Sequence, residues 1–196
     1  MAVGGVAAGL TAKRASAGTQ IPTVALGAQP PGLPARQHAW AATLAVDDVG
    51  DPIAPRFDRL LCFDVNANAA PGPASAVLLE AALRTLERRY PWGPGGLLFT
   101  AGWGPSYFER VLKLSAPIPT ATALSSFESP AIDDYHLCLH LAGDDEERLA
   151  AVEAALVRGV PLPGTDGPLA LSPALTWRET RTGFTGKGLP AARQNV

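Results

Sequence analysis

Charge is scarce in this chain. Only 17% of its 196 residues are Asp, Glu, Lys or Arg, and the 16 basic residues nearly balance the 18 acidic ones. No basic run exceeds two residues; Lys13-Arg14 and Arg88-Arg89 are the densest. A nucleic-acid-binding surface leaves a concentrated positive footprint, so nucleic acid is excluded as the expected partner. Cysteine is nearly absent too. Cys62 and Cys138 are the only two, neither in a C-x-x-C pair, and that spacing excludes a zinc site, so no metal is expected. Both lie in apolar, strand-like runs and read as small buried hydrophobes; spacing alone leaves open whether they pair as a disulfide. Residues 1–10 form a small apolar run far too short to span a bilayer, so no membrane span is expected. There is no G-x-S-x-G elbow, and the Gly102-Trp103-Gly104 bend lacks the Lys and Ser/Thr of a phosphate-binding loop.

What is present is a globular composition. The chain is 47% hydrophobic, enough for one domain with a real core plus tails. Residues 1–17 resemble the back half of a secretory h-region, with Ala15-Ser16-Ala17 as a small-residue cleavage site and no charged n-region before it. That reading expects a start site placed late, with a twin-arginine (Tat) or general signal upstream, and hence export. Without such a signal these residues are an Ala/Gly tail and the protein is cytoplasmic. Residues 18–36 carry Pro22, Pro30, Pro31 and Pro34 and read as a linker.

Beyond it, hydrophobic periodicity predicts strands over 37–46, 59–65, 97–100, 134–141 and 175–181, and helices over 75–90 and 145–157. Ser75 is the expected N-cap of the first helix, with Val77, Leu78, Ala81, Ala82 and Leu86 as its apolar stripe. Strand 59–65 is nearly continuous in apolar residues, as for a central strand covered on both faces, or covered by a helix on one face and closed by a partner on the other. Strand 134–141 alternates: Tyr135, Leu137, Leu139 and Leu141 share one face, His136, Cys138 and His140 the other. Leu124 and Phe127, in a proline-bearing connection, are expected core plugs. The order strand, helix, strand, strand, helix, strand predicts an α+β ferredoxin-like sandwich. It has a four-stranded antiparallel sheet with two helices on one face, plus the extra amino-terminal strand.

The most distinctive stretch is 96–112, GLLFTAGWGPSYFERVL. A short apolar strand enters the bend Gly102-Trp103-Gly104-Pro105, whose glycines allow backbone angles closed to other residues, and Pro105 suits a first helical position. This element resembles the strand-to-helix segment in the amino-terminal half of dye-decolorising (Dyp-type) haem peroxidases. Residues 37–40, 59–65 and 134–147 are similar to further segments of that half. Arg181-Thr182-Gly183-Phe184-Thr185-Gly186-Lys187-Gly188-Leu189-Pro190 is similar to the R-T-G-F-x-G-x-G-L-P signature of an uncharacterised secreted branch.

The resemblance implies peroxide-dependent oxidation at haem, in a dimeric α+β barrel of two ferredoxin-like halves with haem held mainly by the second. It also implies departures. The family's Gly-x-x-Asp-Gly turn has no counterpart, since Gly183-Phe184-Thr185-Gly186 offers no acid. The proximal His and distal Arg belong to the half that would follow Val196. No catalytic residue carries over. The expectation is a truncated or split half: 37–182 as the Dyp-peroxidase-like amino-terminal domain, 183–196 as a tail toward a second half, and haem not bound by this chain alone.

Three histidines remain as candidate cofactor ligands. His136 and His140 lie on one strand face and His38 beside Trp40, and each also reads as an ordinary surface or capping histidine. The clusters Asp133-Asp134 and Asp144-Asp145-Glu146-Glu147 offer paired carboxylates, but the second fits the start of a helix, and Ser106 reads as an early helical or capping residue. Two functions follow. One is a haem-peroxidase-related protein completed by a second ferredoxin-like half or a homo-oligomer partner. The alternative is a non-catalytic ferredoxin-like domain that binds or assembles through its sheet face.

Overall fold

The computed structural model describes residues 43–48, 50, 52–66, 73–93, 95–166 and 169–185, with only the backbone of 73–75. The expected signal remnant 1–17, the linker 18–36, His38 and the signature beyond Thr185 lie outside the described residues.

The element order is β1 (Phe57–Val65), α1 (Pro73–Arg89), β2 (Leu98–Trp103), a π-helical turn (Tyr107–Val111), β3 (Leu137–Gly143), α2 (Glu146–Arg158) and β4 (Leu175–Phe184). The four strands form one antiparallel sheet in the order β2-β3-β1-β4. This is the ferredoxin-like α+β sandwich, with β1 and β3 central.

Alternation sorts the side chains. Leu61 and Phe63 on β1 and Leu137, Leu139 and Leu141 on β3 are buried toward the helices. Leu79, Ala82, Leu83 and Leu86 of α1 and Leu149, Val152, Ala155 and Leu156 of α2 meet them. The α1 stripe is therefore rotated from the expected one. Positions 79, 82, 83 and 86 follow the helical period, whereas Ala81 is exposed and Val77 is 39% exposed. α1 also starts at Pro73, a residue suited to a first turn, so Ser75 lies inside the helix and is not its N-cap. Asp145 caps α2 by accepting the Arg148 N–H at 3.0 Å, and Gly159 ends it at φ 69°.

Polar groups also fasten α2 to the sheet. Glu153 pairs with Arg59 of β1, both side chains largely buried, and accepts the Thr180 hydroxyl of β4 at 2.8 Å. Thr180 in turn accepts the Trp177 indole N–H at 3.0 Å.

Several expectations are corrected. In the described part of the expected strand 37–46, Val46 makes only an isolated bridge to Pro52. Leu124 is 99% and Phe127 87% exposed, because the connection carrying them runs over the surface. Tyr135 precedes the first ladder pair of β3, so alternation does not bind it, and its phenol reaches Glu179 beside Cys62. Of the two arrangements open for β1, the described residues show helices on one face, and its other face carries Asp58, Leu60, Cys62 and Asp64.

The Gly102–Pro105 bend also differs. Gly102 and Trp103 belong to β2, and Gly102 pairs with Cys138. Only Gly104 is demanded by geometry: a Cβ there would lie 2.4 Å from the Tyr135 carbonyl oxygen, whereas at Gly102 it would meet nothing within 4 Å. Pro105 opens the helical turn as expected. The two glycines should therefore separate in urea unfolding. Gly104→Ala is expected to cost about 1–3 kcal/mol, because backbone must move to admit the methyl group. Gly102→Ala is expected to be neutral or to stabilise by up to ~1 kcal/mol, because alanine leaves less unfolded-chain freedom to lose.

Candidate functional site

The side chains with chemistry collect on the sheet face away from the helices. Strand pairing places them in rows. Asp58 lies toward one end, His140 with Leu60, Thr100 and Arg181 next, Cys62, Cys138 and Glu179 near the middle, and Asp64 with His136 at the far end.

His140 Nε2 lies 2.8 Å from Asp58 Oδ1, both side chains partly exposed. Beside this pair is a cavity of about 410 Å³. Its walls are largely apolar: Leu44, Pro52 and Pro55 from the segment before β1, and Leu98 and Ala142 from the sheet. Two backbone hydrogen bonds tie that segment back on itself, Gly50 N–H to Asp47 O at 3.2 Å and Ile53 N–H to Ala45 O at 2.8 Å. Apolar walls with a few convergent polar groups are the usual make-up of a small-molecule site.

At the far end, His136 Nδ1 accepts the Val65 N–H at 2.9 Å, and the His136 backbone N–H donates to Asp64 Oδ1 at 3.4 Å. His136 and His140 thus share the face expected of them but have separate partners. Among the described residues, no three His, Cys, Asp or Glu side chains cluster as for a metal ion.

Between the histidines, Cys62 and Cys138 are register partners with sulfurs 3.8 Å apart, and both are free thiols. Burial first, then the neighbouring Cys138, pushes the Cys62 thiol up to about 12. A polar network flanks them. Arg181 donates to both Asp133 carboxylate oxygens at 2.6 and 2.8 Å and meets Glu179 at 2.5 Å. The Arg181 hydrogen bond holds the Asp133 carboxyl below its ordinary range, and the two carboxylates raise the guanidinium. Burial, then Glu179, raises the Tyr135 phenol.

The remaining sequence candidates have structural partners. Ser106 is helical in backbone, makes no cap hydrogen bond and donates to Tyr135 O at 3.1 Å. Asp134 pairs with Arg110, and Asp144 accepts the Arg56 N–H at 2.9 Å. Sequence reasoning missed Asp58, Glu179 and the Asp133–Arg181 pair. The even-numbered spacing of Asp58, Cys62 and Asp64 carries the signal for Asp58, hidden because β1 reads as a single apolar run. The pairing of Arg181 with residues 48 and two positions away in sequence has no local signature.

A family model matches residues 55–196. The chain belongs to DUF7405, a family of unknown function. No curated protein matches this DUF7405 sequence. Among solved structures it is similar to a Shewanella oneidensis protein described as a Dyp-type peroxidase, with 18% identity over 69% of this chain and 41% of that one, TM-score 0.47. It is similar to a dye-decolorizing peroxidase of Bacteroides thetaiotaomicron, with 13% identity over 75% of this chain and 45% of that one, TM-score 0.47. It is also similar to DyPB of Rhodococcus jostii, with 16% identity over 74% and 42%, TM-score 0.45. The DUF7405 chain spans less than half the length of these structures.

The described histidines do not fit an axial haem ligand. With Nδ1 accepting a backbone N–H, neutral His136 carries its proton on Nε2 and offers no lone pair there. His140 has Nε2 engaged by Asp58 and a 46% exposed side chain, not the floor of an apolar pocket. Hemin added to this chain alone should therefore give no sharpened, shifted Soret band. A sharp band abolished by His136→Ala or His140→Ala would contradict this assignment.

Proposed function

We propose that this chain is a ferredoxin-like half-unit of a Dyp-peroxidase-related protein, working through the sheet face opposite its helices. That face seats a second ferredoxin-like unit to make a dimeric α+β barrel. A second copy of the chain serves where no other unit is supplied. Haem-dependent oxidation belongs to the assembly with a different second unit, which contributes the haem ligand.

The observation that carries this reading is the unequal treatment of the two sheet faces. One is covered by both helices over a largely apolar core, with the Arg59–Glu153 pair and Thr180 fastening α2 to the sheet. Among the described residues no helix covers the other, and its rows expose Thr100, Gly102 and His140 with Leu60 half-buried among them. It also carries both signs of charge, Asp58, Asp64 and Glu179 against Arg178 and Arg181. Mixed charge on one patch suits a two-fold contact, in which each positive group can meet a negative group of the other copy. The ordered sequence resemblance to the peroxidase amino-terminal half supplies the family context.

One observation favours the alternative of a non-catalytic binding domain. The cavity beside Asp58 and His140 has the size and lining of a small-molecule site without any second unit.

Sedimentation velocity tests the pairing. The wild-type chain should sediment as a dimer at micromolar concentration, and Leu60→Glu, which adds charge to this face without touching the helix-side core, should sediment as a monomer. A wild type that stays monomeric alongside an identical Leu60→Glu would contradict self-pairing and leave the binding-domain reading ahead.

A further inference from the structure

The pair Cys62–Cys138 is used by neither reading above. Both thiols lie on the central strands, directly opposite one another, with sulfurs 3.8 Å apart. Opposed residues of an antiparallel pair have Cα atoms about 4.5 or 5.5 Å apart, and either value lies within the span a disulfide bridges. The sulfurs already face each other, so bond formation needs side-chain rotation and little backbone movement.

The two thiols differ in access. Cys62 is 1% exposed, whereas Cys138 is partly exposed. Nothing else in the sequence competes, because these are the only cysteines.

We propose that Cys62 and Cys138 form a reversible cross-strand disulfide, a modification site for peroxide-class oxidants. In the unpaired chain the Cys138 thiol reacts first, since oxidant reaches it there and Cys62 is buried. Its sulfur attacks one peroxide oxygen, the O–O bond breaks, and a sulfenic acid and one water result. Cys62 sulfur then attacks the Cys138 sulfur and displaces hydroxide, which takes the Cys62 proton and leaves as a second water. Two thiols are oxidised by two electrons, and one peroxide is reduced to two waters. The bridge closes a loop between residues 76 apart in sequence and staples β1 to β3.

The test is exposure of the full chain to hydrogen peroxide, followed by intact mass and non-reducing peptide mapping. The expected result is loss of two hydrogen atoms, a linked peptide containing Cys62 and Cys138, and reversal by dithiothreitol. The melting midpoint should rise by about 5 °C or more on oxidation and fall back on reduction. Cys138→Ser should give no linked peptide and no rise. Oxygen-adduct masses on Cys138 without linkage, a disulfide between two chains, or an unchanged midpoint in the linked protein would overturn the proposal.

Discussion

The register of β1 against β3 is the constraint on which the rest of the structure depends. Side chains alternate along a strand, so a slip of one residue would exchange every inward group for an outward one. With Cys62 opposite Cys138, Leu61 lies opposite Leu139 and Phe63 opposite Leu137. Those four large side chains then fall on the helix side and are 0–1% exposed. The same register sends Asp58, Cys62, Asp64, Cys138 and His140 to the opposite face. Core and candidate site are two consequences of one pairing.

The two faces are built from different physics. The helix side is held by burial of aliphatic groups, each worth roughly 1.5–3 kcal/mol relative to exposure. The other is held by directed polar contacts: Asp133 with Arg181, Asp58 with His140, and Val65 with His136. The exposed pairs among them contribute little stability. Their consequence is orientation. They fix where charge sits on a face otherwise composed of small or half-buried groups, which is what an assembling or ligand-binding surface requires.

Much of this architecture was legible in the sequence. The order of elements, and with it the ferredoxin-like sandwich, follows from periodicity alone, and the alternation of Leu137, Leu139 and Leu141 against His136, Cys138 and His140 is visible directly. What was not legible depends on distant partners. Gly102 and Gly104 look equivalent in a glycine-rich bend, yet only the approach of the Tyr135 carbonyl makes Gly104 obligatory. The α1 stripe was misphased because alanine carries too little hydrophobic signal to decide between faces that differ by one position. Leu124 and Phe127 look like core residues by type, but they lie in a connection that never reaches the core. The candidate site follows the same rule: alternation places His136 and His140 on one face, whereas their partners Val65 and Asp58, 71 and 82 positions away, have no local signature.

Cross-strand nuclear Overhauser contacts between β1 and β3 in solution test the central claim most directly. The account predicts Cys62 directly opposite Cys138 and Leu61 directly opposite Leu139. Direct pairing of Cys62 with Leu137 or Leu139 would turn the leucines of β3 and the chemistry-bearing side chains toward the wrong faces, and would contradict it.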